Sequence, residues 1–528
     1  MNLLTASLMF SVVVASLAVG QEAPRGQVPV AGSLVIVGGG KLPDGVRDEF
    51  FKLAGGAAKA RIVVIPTASL DADKPDQAAS FTKNWSDLKP LGVELLHTRD
   101  REQADGAAFV EPLRKATAVW LSGGDQSRLT EAYRGTRVEA ELRALLGRGG
   151  VVGGTSAGAA ALTDPMIAGG DKVAKLGRGF GLLPGVVCDQ HFVARGRIDR
   201  LRGAVAARPG FVGLGIDEAT AVVVTGRSIR VVGDSTVTAV WAAGPGRAAR
   251  EETLKAGGEL DLFQARRAAL ARAAKEPFPA ATMAAPDVPK GALVIVGGGG
   301  VPAPILDRFF ALAGGKDAPV VFVPTAGESE PGDRVAADLT LLKKYGATDV
   351  TVLHTRDRKQ ADEPEFSKVL LTAKAVWFGG GRHWRYIDSY EGTLTETRLR
   401  SVLARGGVIG GTSAGASIQA EYMPRGHPLG NTVVSAEGYE RGFGYLPGCA
   451  VDQHFFARGR TQDMLGLMKR YPQLLGIGID EGTAIVVRGS TAEVVGASKV
   501  GFFDGIEQIV EVKAGDRYDL KARKPVSP

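Results

Sequence analysis

Short runs of β-branched and apolar residues alternate along the chain with longer stretches in which apolar residues recur every three or four positions. "LVIVGGG" from Leu34, "RIVVIPTA" from Arg61, "AVWLSGG" from Ala118 and "GGVVGGTS" from Gly149 are of the first kind, and "LTEAYRGTRVEAELRALLGRG" from Leu129 is of the second. Nearly continuous apolar strands separated by helices predict an α/β fold, a mostly parallel sheet covered by helices on both faces. In such sheets sites form at the carboxyl ends of the strands. Each of these strands ends in Gly, Pro-Thr or Ser, so that edge is where backbone is expected to approach a ligand closely.

The pattern occurs twice. "SLVIVGGG" from Ser33 returns as "ALVIVGGGG" from Ala292, "LLHTRDR" as "VLHTRDR", "AVWLSGGDQSR" as "AVWFGGGRHWR", "DQHFVARGR" as "DQHFFARGR", and "GLGIDEATAVVV" as "GIGIDEGTAIVV". The order is kept at an offset of about 260 residues, which is a whole-domain duplication. The first domain is placed at 28–267 and the second at 290–525. The intervening 268–289, rich in Ala and Pro, is read as a linker.

Composition changes this picture little. The chain has 528 residues, too many for one ordinary core, and is 45% hydrophobic and 23% charged, as globular proteins are. A net charge of +7 with acids and bases intermixed provides no basic block for nucleic acid and leaves only a bias toward anionic substrates or surfaces. At the N-terminus an apolar run from Leu8 to Val19, followed by Gly20, predicts a signal peptide over 1–20. The protein is therefore expected to be secreted or periplasmic, with no stable membrane span after cleavage; an N-terminal membrane anchor is the alternative. Cys188 and Cys449 sit in apolar stretches; export would permit a disulfide between them, but they are read as two buried free thiols.

The chemistry centres on "GGTSAGA", present in both halves. Gly154-Thr155-Ser156-Ala157-Gly158 is G-x-S-x-G between a strand and an Ala-rich run, the setting of a nucleophile elbow. Ser156 and Ser413 are the candidate nucleophiles, with the amides of Ala157 and Ala414 as oxyanion donors. Gly-rich turns before helices also bind phosphate or simply pack. A serine needs a base. Of six histidines, His191 and His454 share the place "DQHF" in the repeat, 35 and 41 residues after their serines. A histidine satisfied inside a core is the alternative there. No metal-ligand set, P-loop or dinucleotide fingerprint is present, so no cofactor is expected.

"GGTSAGA", "GGDQ", "LLPG", "DQHF" with its two following arginines, and "GIDE", in this order, resemble the cyanophycinase and peptidase E family of serine peptidases. The resemblance implies two tandem flavodoxin-like, class I glutamine-amidotransferase-like domains. It also implies a peptide substrate: peptidase E removes an N-terminal aspartate from dipeptides, and cyanophycinase cleaves an arginine-bearing polyaspartate into β-aspartyl-arginine. Serine in place of cysteine at the elbow argues against a glutaminase. Carried over residue by residue, His191 and His454 are general bases. Gln126, Asp189, Gln190, Arg195, Arg197 and Arg200 shape the first pocket, and His383, Asp452, Gln453, Arg458 and Arg460 shape the second. Arginines there can hold a carboxylate bidentately; a solvated helix face is their alternative reading.

The resemblance implies a third triad member between serine and histidine, a glutamate as in cyanophycinase or an aspartate as in peptidase E. Asp171, with Asp164 behind it, is the candidate in the first domain; in the second, Glu437 competes with Glu421, Glu440 and the neutral Asn431. Asp217-Glu218 and Asp480-Glu481 of "GIDE" read equally well as charges steering the site and as loop carboxylates capping backbone amides. In the second half His383 replaces Gln126 and Asp463 replaces Arg200, so the two pockets are expected to differ in substrate. The remaining possibilities are an amidase or esterase of another class, and a half that keeps the fold as a binding or dimerising module, with the two domains packed as an intrachain pseudo-dimer.

Overall fold

A computed structural model describes residues 28–328 and 333–526. The signal peptide expected over 1–20 lies outside the described residues. The strand Val30–Val37 shows how the main sheet is built: Leu34 and Ile36 enter one apolar cluster, and Val35 and Val37 enter another on the opposite face. Leu293 and Ile295 against Val294 and Val296 repeat this in the second half. Helices cover both faces, so alternation is lost and the strand is apolar throughout.

Across the first domain's main sheet the strands run Gly92–Leu95, Arg61–Ile65, Ala118–Leu121, Val151–Thr155 and Val30–Val37, all parallel. The antiparallel Thr220–Gly226, Ser228–Gly233 and Glu259–Asp261 extend it. The sheet is therefore mixed. The antiparallel part begins where Thr220–Gly226 pairs with Val30–Val37, and the hairpin that follows turns at Gly226, whose φ of 60° is a left-handed position that favours glycine. A second sheet pairs Val186–Gln190 in parallel with Val212–Ile216, and the antiparallel Val237–Trp241 and Arg250–Leu254 complete it. The second domain repeats both sheets, with Val408–Thr412 beside Val288–Val296 and Leu446–Gln453 beside Leu475–Ile479.

The first domain does not end at residue 267. Asp261 caps a helix, Leu262–Ala273, by accepting from the Gln264 amide, and Ala268 and Ala269, read as linker, lie on its buried face. Alanine has the highest helix propensity, so an Ala-rich run next to a capping aspartate continues the helix. The second domain's first strand starts at Val288. Cys188 and Cys449 are free and buried in corresponding strands; burial pushes the Cys188 thiol up to about 12 and raises Cys449 as well. Among the described residues no helix is long and apolar enough to cross a membrane.

Candidate active site

The serine stands where Val151–Thr155 turns into the helix Ala157–Ala161. Its backbone is forced to φ 51°, ψ −110°, and Ser413 to φ 55°, ψ −110°, a region that costs a non-glycine residue about 1–3 kcal/mol. The flanking glycines make so sharp a turn possible. A Cβ on Gly154 would stand 2.5 Å from the Gly158 backbone, and one on Gly158 would stand 2.2 Å from the Leu121 carbonyl. Ala157 opens the helix, so its N–H belongs to the first turn, where amides have no intrahelical acceptor. Ala414 stands likewise after Ser413.

The histidine arrives from the second sheet. Val186–Gln190 ends at His191, which adopts φ 51° and donates its amide to the Gly38 carbonyl at 2.7 Å. The ring lies on the glycines that end the first strand: a Cβ on Gly39 would be 2.3 Å from His191 Cε1, and one on Gly298 the same distance from His454 Cε1. "VIVGGG" is thus a platform for an imidazole. His191 Nε2 lies 2.8 Å from Ser156 Oγ, and His454 Nε2 lies 2.9 Å from Ser413 Oγ.

The group on the far side of each ring is a glutamate that follows it in sequence. Glu218 Oε1 is 2.6 Å from His191 Nδ1, and Glu481 Oε1 is 2.6 Å from His454 Nδ1. This corrects the expectation of Asp171 and Glu437. Asp171 is exposed beside the Met166–Gly169 and Lys175–Gly177 hairpin, and Glu437 is buried against arginines of the first domain. The signal was present in the sequence: histidine and glutamate are 27 residues apart in both halves, whereas the serine-to-histidine spacing differs.

The two acids of "GIDE" divide the two readings between them. Asp217 accepts from the Val193 and Ala194 amides at 3.0 and 2.9 Å and from Ser235 Oγ at 2.7 Å, fixing the turn that carries His191. Burial opposes its charge, but these donors hold its carboxyl below the usual range. Asp480 does the same with Ala457 and Ser498.

Several residues expected in the pockets have structural partners instead. Arg200 is 3% exposed and forms a bidentate pair with Asp189, itself fully buried, so neither faces a substrate. Arg197 donates to the Gln190 carbonyl at 2.7 Å, and Gln126 donates to the Ile167 and Ala168 carbonyls at 2.9 and 2.8 Å. Gln190 and Gln453 are buried beside the histidines. Arg195 and Arg458 are exposed, and Arg458 borders the second cleft.

The second domain has not lost the arginine that pairs with its buried aspartate. Asp463 stands in the place of Arg200, while Arg425, from the longer segment after Ser413, reaches Asp452 at 3.1 Å and also pairs with Asp463. Arg460 adds a bond to Asp452 at 2.7 Å. The charge has been transposed from helix to loop. His383 takes the place of Gln126 and keeps its task, donating to the Pro424 carbonyl; burial, then Arg382, pushes its pKa down to about 3, so the ring is neutral. The resulting cleft, about 420 Å³, is lined by Ser413, His454, Arg425, Asn431, Arg458 and Gly380, among others. The remaining paired histidines, His97 and His354, are held by Thr67 and Thr325 at 2.9 and 3.0 Å. Among the described residues no group of His, Cys, Asp or Glu is arranged to hold a metal.

A strained serine at an elbow, a histidine on its hydroxyl and a carboxylate behind the ring define the serine hydrolase class. The sequence profile of peptidase family S51 matches residues 34–232 and 293–495, and the chain belongs to that family of serine-type peptidases. A cyanophycinase from Geminocystis herdmanii is 35% identical over 207 residues, which are 38% of this chain and 75% of the relative. One from a Nostoc species is 38% identical over 201 residues, 36% of this chain and 66% of the relative. A solved peptidase from an acI-B1 Actinobacterium aligns with 45% of this chain and 98% of its own length at 25% identity, with a TM-score of 0.36.

Proposed function

We propose that both halves are working serine peptidases that hydrolyse aspartyl peptides, β-aspartyl-arginine chains among them, through an acyl-enzyme. The observation that carries this reading is the Ser–His–Glu hydrogen-bonded chain, present in both halves with distances that agree to 0.1 Å. Ser156 Oγ attacks the scissile carbonyl carbon while His191 Nε2 takes its proton. Glu218 on Nδ1 fixes the tautomer and stabilises the imidazolium, and the Ala157 amide donates to the developing oxyanion. The tetrahedral intermediate collapses, the C–N bond breaks, and the imidazolium proton goes to the leaving amine. Water, deprotonated by the same histidine, then releases the acyl group as a carboxylate and restores the serine. Ser413, His454, Glu481 and Ala414 repeat these steps.

Arg458, exposed and lining the cleft with Ser413, supports the choice of an acidic substrate, because a guanidinium beside the nucleophile can take a side-chain carboxylate in a two-point contact; the exposed Arg195 is its counterpart in the first half. The two cyanophycinase relatives favour the same substrate class. Export through the N-terminal apolar run is part of this reading, and sequencing the N-terminus of the mature protein tests it: a start before Gly20 rejects cleavage there. For the chemistry, the unsubstituted protein, Ser156→Ala, Ser413→Ala and the double variant are incubated with cyanophycin and with α- and β-aspartyl dipeptides. Each single variant should retain part of the turnover and the double variant none. Undiminished hydrolysis by the double variant would reject both nucleophiles.

A further inference from the structure

The second domain's segment Pro424–Arg441 faces two ways. Its first half borders the cleft: Arg425 and Asn431 line it together with Ser413, and Arg382 grips the carbonyls of His427 and Gly430. Its second half is held by the first domain. Gln264 donates to the Glu437 carbonyl at 2.9 Å and Arg267 to the Gly438 carbonyl at 2.6 Å. The Glu437 carboxylate, buried, lies 2.7 Å from Arg272 and 3.5 Å from both Arg247 and Arg250. Arg247 also reaches Glu440 at 2.5 Å. The fit is tight, for a Cβ on Gly438 would stand 2.5 Å from Arg267 Cβ.

The corresponding hairpin of the first domain, Met166–Gly177, is held from within its own domain, by Arg200 on the Gly170 carbonyl and Gln126 on those of Ile167 and Ala168. The duplicated domains therefore support their substrate-side segments differently. A loop that must be ordered at the moment of binding lowers affinity, and a scaffold that orders it beforehand restores it.

We propose that the first domain positions the substrate-side loop of the second site, so that the second site's substrate affinity depends on contacts across the domain interface while the first site's does not. The proposal rests on the reading of the second site as a peptidase. Arg267 and Arg272 are then positioning residues for a cleft they do not enter.

The test uses the full chain carrying Ser156→Ala, so that only Ser413 reacts, with Arg267→Ala, Arg272→Ala or Arg272→Lys added. Losing a buried charge-assisted bond should raise KM for an aspartyl peptide about tenfold while kcat changes by less than about twofold, and the lysine variant should recover part of the loss. Amide hydrogen exchange in the same proteins should quicken over 424–436 and stay unchanged over 166–177. Unchanged exchange in the loop, or faster exchange with unchanged KM, overturns the proposal. So does an equal loss of affinity at the first site, read in a Ser413→Ala protein with the same interface substitution. If the unsubstituted protein hydrolyses nothing, the peptidase reading fails on its own; peptide-induced protection from exchange, read separately over 424–436 and 166–177, then decides the loop's role.

Discussion

At the scale of single residues, the assignment that departs most from the sequence reading is the glutamate behind each histidine. Glu218→Gln, measured in a Ser413→Ala protein, keeps a hydrogen-bonding atom near His191 Nδ1 but removes the charge and permits the wrong tautomer. The kcat of the first site should fall about 10⁴-fold, whereas Asp171→Asn should leave it unchanged. The serine and histidine could be read because each lies in a motif that recurs intact. The glutamate follows the histidine within "GIDE", outside the serine-to-histidine segment in which the family resemblance implies the acid. Burial lowers the pKa of His454 against the opposing bond from Glu481, and Arg458 and Arg460 lower it further. The catalytic form is the neutral ring, so a lowered pKa keeps the base competent into more acidic solution. The acid limb of kcat/KM for the second site, measured in a Ser156→Ala protein, should therefore lie below about 6.5, the ordinary imidazole value.

At the scale of elements, the strands were legible because burial on both faces leaves them apolar, and the elbow because its glycines face backbone where no Cβ fits. What each arginine touches was not legible, since a buried ion pair and a substrate clamp use the same residue types. Arg200 on the helix Ile198–Ala206 is the clearest instance: its guanidinium serves the fully buried Asp189, not a ligand. Arg200→Ala leaves that carboxylate with Arg197 alone, 3.6 Å away, and should destabilise the first domain by about 3–5 kcal/mol, seen as a lower midpoint in urea. Arg425→Ala should cost the second domain less, because Arg460 still bonds Asp452 at 2.7 Å. The transposition of Arg200 to Arg425 also explains why Asp463 is tolerated on the corresponding helix, where it meets a cation from the loop.

At the scale of the whole molecule, the halves meet through unlike surfaces. Among the described residues, ion pairs and hydrogen bonds between the domains join the first domain's 227–272 region to the second domain's 388–391 and 437–440, and the corresponding surfaces of the other half make no such pairs. This is a heterologous contact, not the self-matching pairing of a two-fold dimer. It could not be read from the repeat: Arg272 and Glu437 belong to stretches that the two halves do not share, and Arg227, inside a repeated hairpin, stands where the second half has Ser490. The interface depends on buried charge: Glu437 stands among three arginines, and Arg227 bridges Asp261 of its own domain and Asp388 of the other at 2.8 Å. Such a group stabilises the assembled state weakly when complete, but removing one member leaves uncompensated charge buried, at a cost of about 3–5 kcal/mol. Glu437→Ala would strand Arg272 in this way, and that energy acts on the docking of the domains because each half keeps its own core. Differential scanning calorimetry should therefore show one cooperative transition for the unsubstituted protein and two separated transitions for Glu437→Ala. A single transition merely shifted to lower temperature would mean that the domains unfold together even without this ion cluster.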